Sequence, residues 1–170
     1  ATAVVADRLG LWLLIRFISL RSLALHRRMA GGNNRIVVHG LNTAENCRTP
    51  MSIADALISF CVFDVSRNPL RLRARVPGDR YWSLTCYGID TTNFFSLNDQ
   101  QLAPSANEEV TIVICGPSQR YQPGGRDLVV HAPAAQGLLL IRVLVNDPAD
   151  EVEAEALLRV QRLATVDLVL

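Results

Sequence analysis

The sequence contains no lysine, and all 17 of its basic side chains are arginine. We attribute this bias mainly to genome composition. The net charge is only +1, so the chain as a whole has no positive field that would favour nucleic acid. The charge is divided unevenly, because residues 1–35 hold six arginines against Asp7, a net +5, whereas the other residues hold eleven arginines against fifteen acids, a net −4. A basic, apolar N-terminus joined to a mildly acidic remainder indicates two roles within one chain.

Closely spaced cysteines are also missing. Cys47, Cys61, Cys86 and Cys115 are separated by 14, 25 and 29 positions, whereas zinc sites and redox motifs use close pairs. Three of the four lie in apolar, strand-like runs, where a free cysteine behaves as a small hydrophobic side chain. We therefore predict buried thiols, with one disulfide as the alternative, and no metal site.

No motif of a catalytic or phosphate-binding site is present. His26, His39 and His131 are far apart, and no motif links any of them to a serine, a cysteine or a carboxylate. Gly116-Pro117 and Gly124-Gly125 lack the lysine and the strand-to-helix context of a phosphate loop, so we interpret them as turns. The sequence thus predicts no catalytic residue, no cofactor and no enzymatic activity.

An uninterrupted membrane span is lacking as well, although the N-terminus is strongly apolar. Leu9–Leu25 contains seventeen residues and is broken by two arginines, whereas a spanning helix needs about 20 apolar residues. Three interpretations remain open: a helix that spans the bilayer, a helix that lies in the interface or docks on a membrane protein, and a core helix of the domain. The residues expected to contact membrane or partner are Leu11, Trp12, Leu14, Ile15, Arg16, Ile18 and Arg21.

The flanks of this segment bear on targeting and on domain organisation. No small-residue cleavage site follows the apolar run before His26-Arg27-Arg28, which argues against a cleavable signal peptide. If the helix spans, Arg27, Arg28 and Arg35 would by the positive-inside rule draw the domain toward the cytoplasm. Ala30–Asn34 has linker composition. We therefore divide the chain into a membrane-spanning or membrane-associated helix, residues 1–30, and a β-sandwich domain, residues 31–170.

A β-hairpin is predicted over residues 68–88. Apolar residues alternate with arginines at Leu70–Val76, and Pro77-Gly78-Asp79 is a strong turn sequence. Pairing about Gly78 sets Ala74 opposite Trp82, so that each strand has one polar and one apolar face. On the polar face Arg71, Arg73, Arg75 and Tyr81 form a possible binding stripe, for which an ordinary solvated strand face is the alternative.

The rest of the chain predicts further short strands and one late helix. Residues 35–39, 58–65, 91–97 and 110–115 are typical of strands. Residues 127–132 and 137–145 are expected to pair as a second hairpin, and Asn146-Asp147-Pro148 to cap a helix. The predicted fold is mainly β: an antiparallel β-sandwich or jelly-roll-like domain with an N-terminal apolar helix and one C-terminal helix.

An ordered set of motifs resembles a known family. The motifs are Phe60–Ser66, Pro69–Leu72, Val76–Leu84, Thr92–Phe95, His131–Pro133, Leu140–Val145 and Asp147–Asp150. Together they resemble the bacterial domain-of-unknown-function family twelve fifty-four, in its short form with a membrane helix ahead of one domain. The resemblance runs from about Asn34 to the C-terminus, and it implies a β-sandwich-like domain, often exported or membrane-attached. It implies no activity and no catalytic residue.

These observations lead to three functional hypotheses. The first is a non-catalytic accessory subunit, attached by its N-terminal helix to an integral membrane-protein complex and to the lipid bilayer of the bacterial inner membrane, with the domain on the periplasmic side. The second is a membrane-attached β-sandwich that binds a small ligand or lipid in a pocket lined by Trp82, Phe94 or Phe95. The third is an uncharacterised enzyme that uses His131 or a cysteine.

Overall fold

Nine strands and two helices are present in residues 2–42, 55–102 and 108–169, the part of the chain that the computed structural model describes. The helices are α1 (Thr2–Met29) and α2 (Glu151–Gln161). The strands are β1 (Ile36–Asn42), β2 (Ala56–Asp64), β3 (Leu70–Val76), β4 (Trp82–Gly88), β5 (Asn93–Asn98), β6 (Glu108–Cys115), β7 (Leu128–His131), β8 (Gln136–Leu144) and β9 (Thr165–Leu168). The predicted fold class, mainly β with an N-terminal and a C-terminal helix, is confirmed.

The strands form two sheets that pack face to face. Sheet A has five strands in the order β1-β2-β8-β4-β5, and sheet B has four in the order β7-β6-β3-β9. Neighbouring strands run antiparallel except β6 and β7, which pair in parallel among the strands described. The inward-facing residues of both sheets join in one hydrophobic core, with Trp82, Phe63 and Leu72 fully buried in it. The domain is therefore a two-layer sandwich with mixed pairing at one edge of sheet B.

The predicted hairpin between β3 and β4 is wrong, although both strands exist. β3 pairs with β6 and β9 in sheet B, whereas β4 pairs with β5 and β8 in sheet A. Pro77-Gly78-Asp79 therefore carries the chain from one sheet to the other. Alternation specifies which side of a strand faces the core. It does not specify whether the next strand in the chain lies beside it in the same sheet or across the core in the other sheet.

The second predicted hairpin is wrong for the same reason. β7 pairs with β6 in sheet B, and β8 lies at the centre of sheet A between β2 and β4. A central strand of a sheet that is covered on both faces carries a continuous apolar run, and β8 has the sequence QGLLLIRVL. The outward side chains Leu138 and Leu140 are half-buried for this reason.

The C-terminal helix begins later than predicted. Its N-cap is Asp150, whose carboxylate accepts hydrogen bonds from the backbone N–H groups of Val152 and Glu153. The turn Asn146–Pro148 precedes the helix and does not cap it. Arg80 donates to Glu153, which ties the crossover between the sheets to the first turn of α2. β9 follows α2 and was not predicted, because four residues are too short a run to give a clear strand signal.

Three of the four cysteines are buried free thiols, as predicted. Cys61, Cys86 and Cys115 lie in β2, β4 and β6. Burial raises the pKa of both Cys61 and Cys86 to about 12 and also raises that of Cys115. These groups are protonated at neutral pH, and a protonated thiol is a weak nucleophile. Cys47 lies outside the described residues.

Gly137 marks the tightest packing in sheet A. A Cβ atom at this position would lie 2.3 Å from the carbonyl oxygen of Tyr87 and 2.4 Å from Cζ of Phe63. We predict that Gly137→Ala lowers the free energy of unfolding by about 1–3 kcal/mol, the usual range for overpacking. Denaturant unfolding measures this change. Gly124→Ala is the control, because its nearest neighbour would be a side-chain atom at 3.8 Å; equal stability of the two variants would contradict the packing described.

Candidate functional site

The most unusual surface of the molecule belongs to α1. Residues 7–29 are long and apolar enough to cross a membrane by length and composition. Membrane anchors and signal sequences share such a helix near the N-terminus. Eleven large apolar side chains from Leu9 to Met29 are exposed, far more than a soluble surface of this size normally carries.

The end of α1 is held by a defined turn, although its composition is that of a linker. The N–H of Gly32 bonds to the carbonyl of Arg27, and the N–H of Gly31 bonds to the carbonyl of Arg28. This is the Schellman pattern, and it requires the positive φ of +66° that Gly31 adopts. The helix therefore ends at a fixed position and the chain turns directly onto the sandwich.

Asp64 at the end of β2 holds the residues that follow this turn. Its backbone N–H donates to the side-chain oxygen of Asn34, and its backbone carbonyl accepts from the same side chain. Its carboxylate accepts from the side chains of Asn33 at 3.1 Å and Gln136 at 2.7 Å, and from the N–H of Ser66. Burial alone would raise the pKa of Asp64, but these hydrogen bonds outweigh burial and hold it below its ordinary value. The carboxylate thus ties α1, β2 and β8 together.

Beyond this junction, the C-terminal half of α1 runs across the outer face of sheet A. The ring of His26 packs edge-on against the ring of Phe60, with 5.1 Å between their centroids. Phe60 and Val62 point away from the core of the sandwich and are nevertheless buried. The helix therefore acts as a third layer over sheet A.

A groove of about 260 Å³ lies between the helix and the sheet. We call it the helix–sheet groove. The helix contributes two small hydroxyl side chains and a leucine, the sheet contributes apolar side chains with one tyrosine and one arginine, and the turn after β4 forms the rim. The lining residues are Ser19, Ser22, Leu23, Tyr87, Gly88, Ile89, Thr91, Leu138, Leu140 and Arg142.

Arg142 is the one arginine in the lining of this groove. Among the described residues, the guanidinium makes two long contacts, from Nη1 to Thr85 Oγ1 and from Nη2 to Tyr87 Oη, each 3.5 Å. It makes no ion pair with any carboxylate of residues 2–42, 55–102 or 108–169. A half-buried guanidinium with unused donors is suited to bind an oxyanion.

The residues predicted on α1 to contact membrane or partner are all exposed. Leu11, Trp12, Leu14, Ile15 and Ile18 are between 45% and 58% exposed. Arg16 and Arg21 extend along the helix, 5.4 Å from the ring of Trp12 and 5.3 Å from the ring of Phe17. These side chains are therefore accessible to a membrane or a partner. That they make such a contact stays a prediction.

The proposed arginine stripe is largely used within the domain. Arg71 donates to Tyr121 Oη at 2.6 Å and to Asp127 Oδ2 at 3.3 Å, and Arg73 pairs with Asp167 at 3.3 Å. The hydrogen bonds from Tyr121 and from the backbone N–H of Gly124, and then the charge of Arg71, hold the pKa of Asp127 below its usual range.

The other two residues of the stripe belong to different sheets. Arg75 is exposed and has no ion pair in the described ranges. Tyr81 is not beside the arginines, because it precedes β4 in the other sheet. The four residues therefore do not form one continuous set, and a binding role for the arginines of β3 stays a prediction.

Sequence reasoning did not find the groove. Its walls come from α1, β4 and β8, which are distant in sequence, and β8 had been paired with β7. Two signals were present: the arginine within the apolar run of β8, and the close serine pair Ser19 and Ser22 in an otherwise apolar helix. Trp82 is buried in the core, and neither it nor Phe94 or Phe95 lines this groove, so the pocket predicted for them is not the one observed.

The sequence profile of one family matches residues 33–165, more than half of the chain, and that family is described as a protein of unknown function (DUF1254). The chain belongs to this family. The match confirms the resemblance and begins at Asn33, where the chain turns from α1 onto the sandwich. No curated protein matches this DUF1254 chain.

Two solved structures share the fold of this DUF1254 chain. The VPA0106 protein from Vibrio parahaemolyticus is 14% identical with a TM-score of 0.59, over 71% of this chain and 29% of its own. An uncharacterized protein from Burkholderia cenocepacia is 18% identical with a TM-score of 0.56, over 94% of this chain and 41% of its own. This chain therefore spans less than half the length of either protein, and the likeness establishes the fold alone.

The hydrogen bonds to Asp64 generate a prediction about stability and pH. We expect Asp64→Ala to cost about 1–3 kcal/mol of unfolding free energy, because several donors lose a charged acceptor. Since the folded-state pKa is lowered, the contribution of the wild-type carboxylate is present above pH ~4 and is lost as the pH falls through the folded pKa. Urea unfolding of both proteins from pH 3 to pH 7 measures this.

The control for this prediction is Glu109→Gln, which removes one exposed negative charge from β6. It should change stability by less than about 0.5 kcal/mol. A difference between Asp64→Ala and wild type that grows as the pH falls would contradict the role given to Asp64.

Proposed function

We propose that this DUF1254 chain is a non-catalytic accessory subunit, attached by α1 to a larger membrane-protein complex at the bacterial inner membrane. The observation that carries the proposal is the exposed apolar surface of α1, which the sandwich leaves uncovered. Burying such a surface is favourable by about 25 cal/mol per Å², so it is expected to lie in lipid or against a partner.

The contact between α1 and sheet A limits how far the helix reaches. The helix side chains that line the groove begin at Ser19, so the free segment with its exposed apolar side chains is Leu9–Ile18. Ten helical residues rise about 15 Å, which is roughly half of the hydrocarbon thickness of a bilayer. While α1 stays on the sheet, it enters one leaflet; a full span over residues 7–29 would require the helix to leave the sheet.

Arg21 is available to a polar or acidic group of a protein partner. It follows Ser19 by two residues, or about 200° around the helix, and so lies on the side opposite the sheet. Because it comes after the free segment, it lies at the level of the headgroups while α1 stays on the sheet. A carboxylate of a partner could pair with this guanidinium there, which supports attachment to a complex.

We assign the domain to the periplasmic side, which the exported character of the resembling family supports. Arg27, Arg28 and Arg35 would favour the cytoplasm only for a helix that spans, because the positive-inside rule concerns loops that flank spans. A helix that enters one leaflet is outside that rule.

A triple substitution tests the attachment. Leu13, Leu14 and Phe17 are exposed in the free segment, so replacing all three by Gln should leave the sandwich folded. We expect this variant to move from the membrane fraction to the soluble fraction, measured by flotation of membranes on a density gradient.

The matched control changes exposed apolar residues elsewhere. Val152→Gln with Leu163→Gln removes apolar surface from the region of α2 and should leave the protein with the membranes. Retention of the triple variant on membranes at the wild-type level would contradict the proposed attachment.

A further inference from the structure

The helix–sheet groove contains charge and hydrogen-bonding capacity that the chain itself does not use. Arg142 has two contacts of 3.5 Å and no carboxylate partner in the described parts of the chain. Tyr87 and Thr85 accept these contacts through their oxygens, so each keeps its own O–H proton to donate. The hydroxyl of Ser83, which is paired with Arg142 across β4 and β8, is buried and has no hydrogen-bond partner among the described residues.

The other charges near the groove lie at its rim. Asp90 is in the turn after β4, and its carboxylate accepts from the N–H of Thr92. Hydrogen bonds from Thr92, together with the positive charge of Arg16, hold the pKa of Asp90 below its ordinary value. Asp90 therefore has hydrogen-bond donors within its own turn, and it makes no ion pair with Arg142 in the described parts of the chain.

The rest of the lining is apolar and matches the glycerol and first methylene groups of a lipid. Leu138 and Leu140 form the floor beside Arg142, and Leu23 and Ile89 stand on opposite walls. About 260 Å³ is small for a drug-sized ligand, whose sites begin near 300 Å³, and it is compatible with one polar headgroup.

The position of the groove identifies the source of such a ligand. Ser19 and Ser22 on its helix wall directly follow the free segment Leu9–Ile18. If that segment enters one leaflet, the groove lies where the hydrocarbon ends and the headgroups begin. A phospholipid beside α1 would then have its acyl chains along the exposed apolar side chains and its phosphate at the entrance of the groove.

We propose that the helix–sheet groove binds the phosphate headgroup of an anionic phospholipid, with Arg142 as the main contact and Tyr87 as a second donor. This inference rests on the proposed attachment of α1 to the membrane. A guanidinium donates two parallel hydrogen bonds to a phosphate, which gives both strength and orientation. A choline headgroup would bring a second cation close to Arg142, so phosphatidylglycerol is preferred over phosphatidylcholine.

The test measures lipid retention by the full chain. The protein is purified in a neutral detergent and titrated with phosphatidylglycerol or phosphatidylcholine, and bound lipids are counted by native mass spectrometry. We expect tighter retention of phosphatidylglycerol, by about tenfold, and a loss of about tenfold or more in Arg142→Gln. Tyr87→Phe should weaken retention less, and it serves as the second variant if Arg142→Gln does not fold.

The control is Arg67→Gln, which removes the same charge from an exposed position in the turn after β2. It should retain phosphatidylglycerol within twofold of wild type. Equal retention of phosphatidylglycerol by wild type and by both groove variants would overturn the proposal, as would equal retention of the two lipids. Displacement of the lipid by glycerol 3-phosphate alone would assign the groove to a soluble phosphate and overturn the lipid assignment.

Flotation with native membranes separates this inference from the proposed function. A chain that does not float with these membranes refutes the attachment itself. A chain that floats, but whose phosphatidylglycerol retention is unchanged by Arg142→Gln, refutes only the headgroup site.

Discussion

The junction at Asp64 determines where α1 lies, and the groove beside the helix depends on it. The backbone of Asp64 exchanges two hydrogen bonds with the side chain of Asn34, and its carboxylate binds Asn33 and Gln136. Because the Schellman turn fixes the end of the helix immediately before these contacts, the direction of α1 over sheet A is set by a few polar groups. The groove, the free segment and the third layer over Phe60 all follow from that direction.

The fold class could be predicted because it depends on local patterns. The alternation of β3 correctly assigned Leu70, Leu72, Ala74 and Val76 to the core, and the acidic first turn of α2 correctly indicated a helix. Strand partners could not be predicted, because alternation defines a face and leaves the neighbour undefined. Both hairpins were wrong on this point: Pro77-Gly78-Asp79 has good turn chemistry, and the turn that it makes joins two sheets.

The groove is the part of the molecule that sequence reasoning could least predict. Arg142, Tyr87 and Ser19 come together only because β8 lies beside β4 and α1 crosses both. Exposure of α1, in contrast, follows from composition, since a helix apolar on all sides cannot bury every face against one sheet. The two features are connected: the same helix supplies an apolar free segment and, directly after it, one wall of a cavity with an unneutralised cation. In the proposed function, the sandwich is the base that positions one helix end at a membrane surface.

We propose that α1 joins this chain to a larger membrane assembly. Gentle detergent extraction of native membranes, followed by size separation and identification of the co-migrating proteins, measures this association. We expect the wild-type chain to migrate with a large integral membrane complex. Migration of the wild-type chain as a lone small particle, with no integral membrane protein beside it, would contradict the proposed attachment.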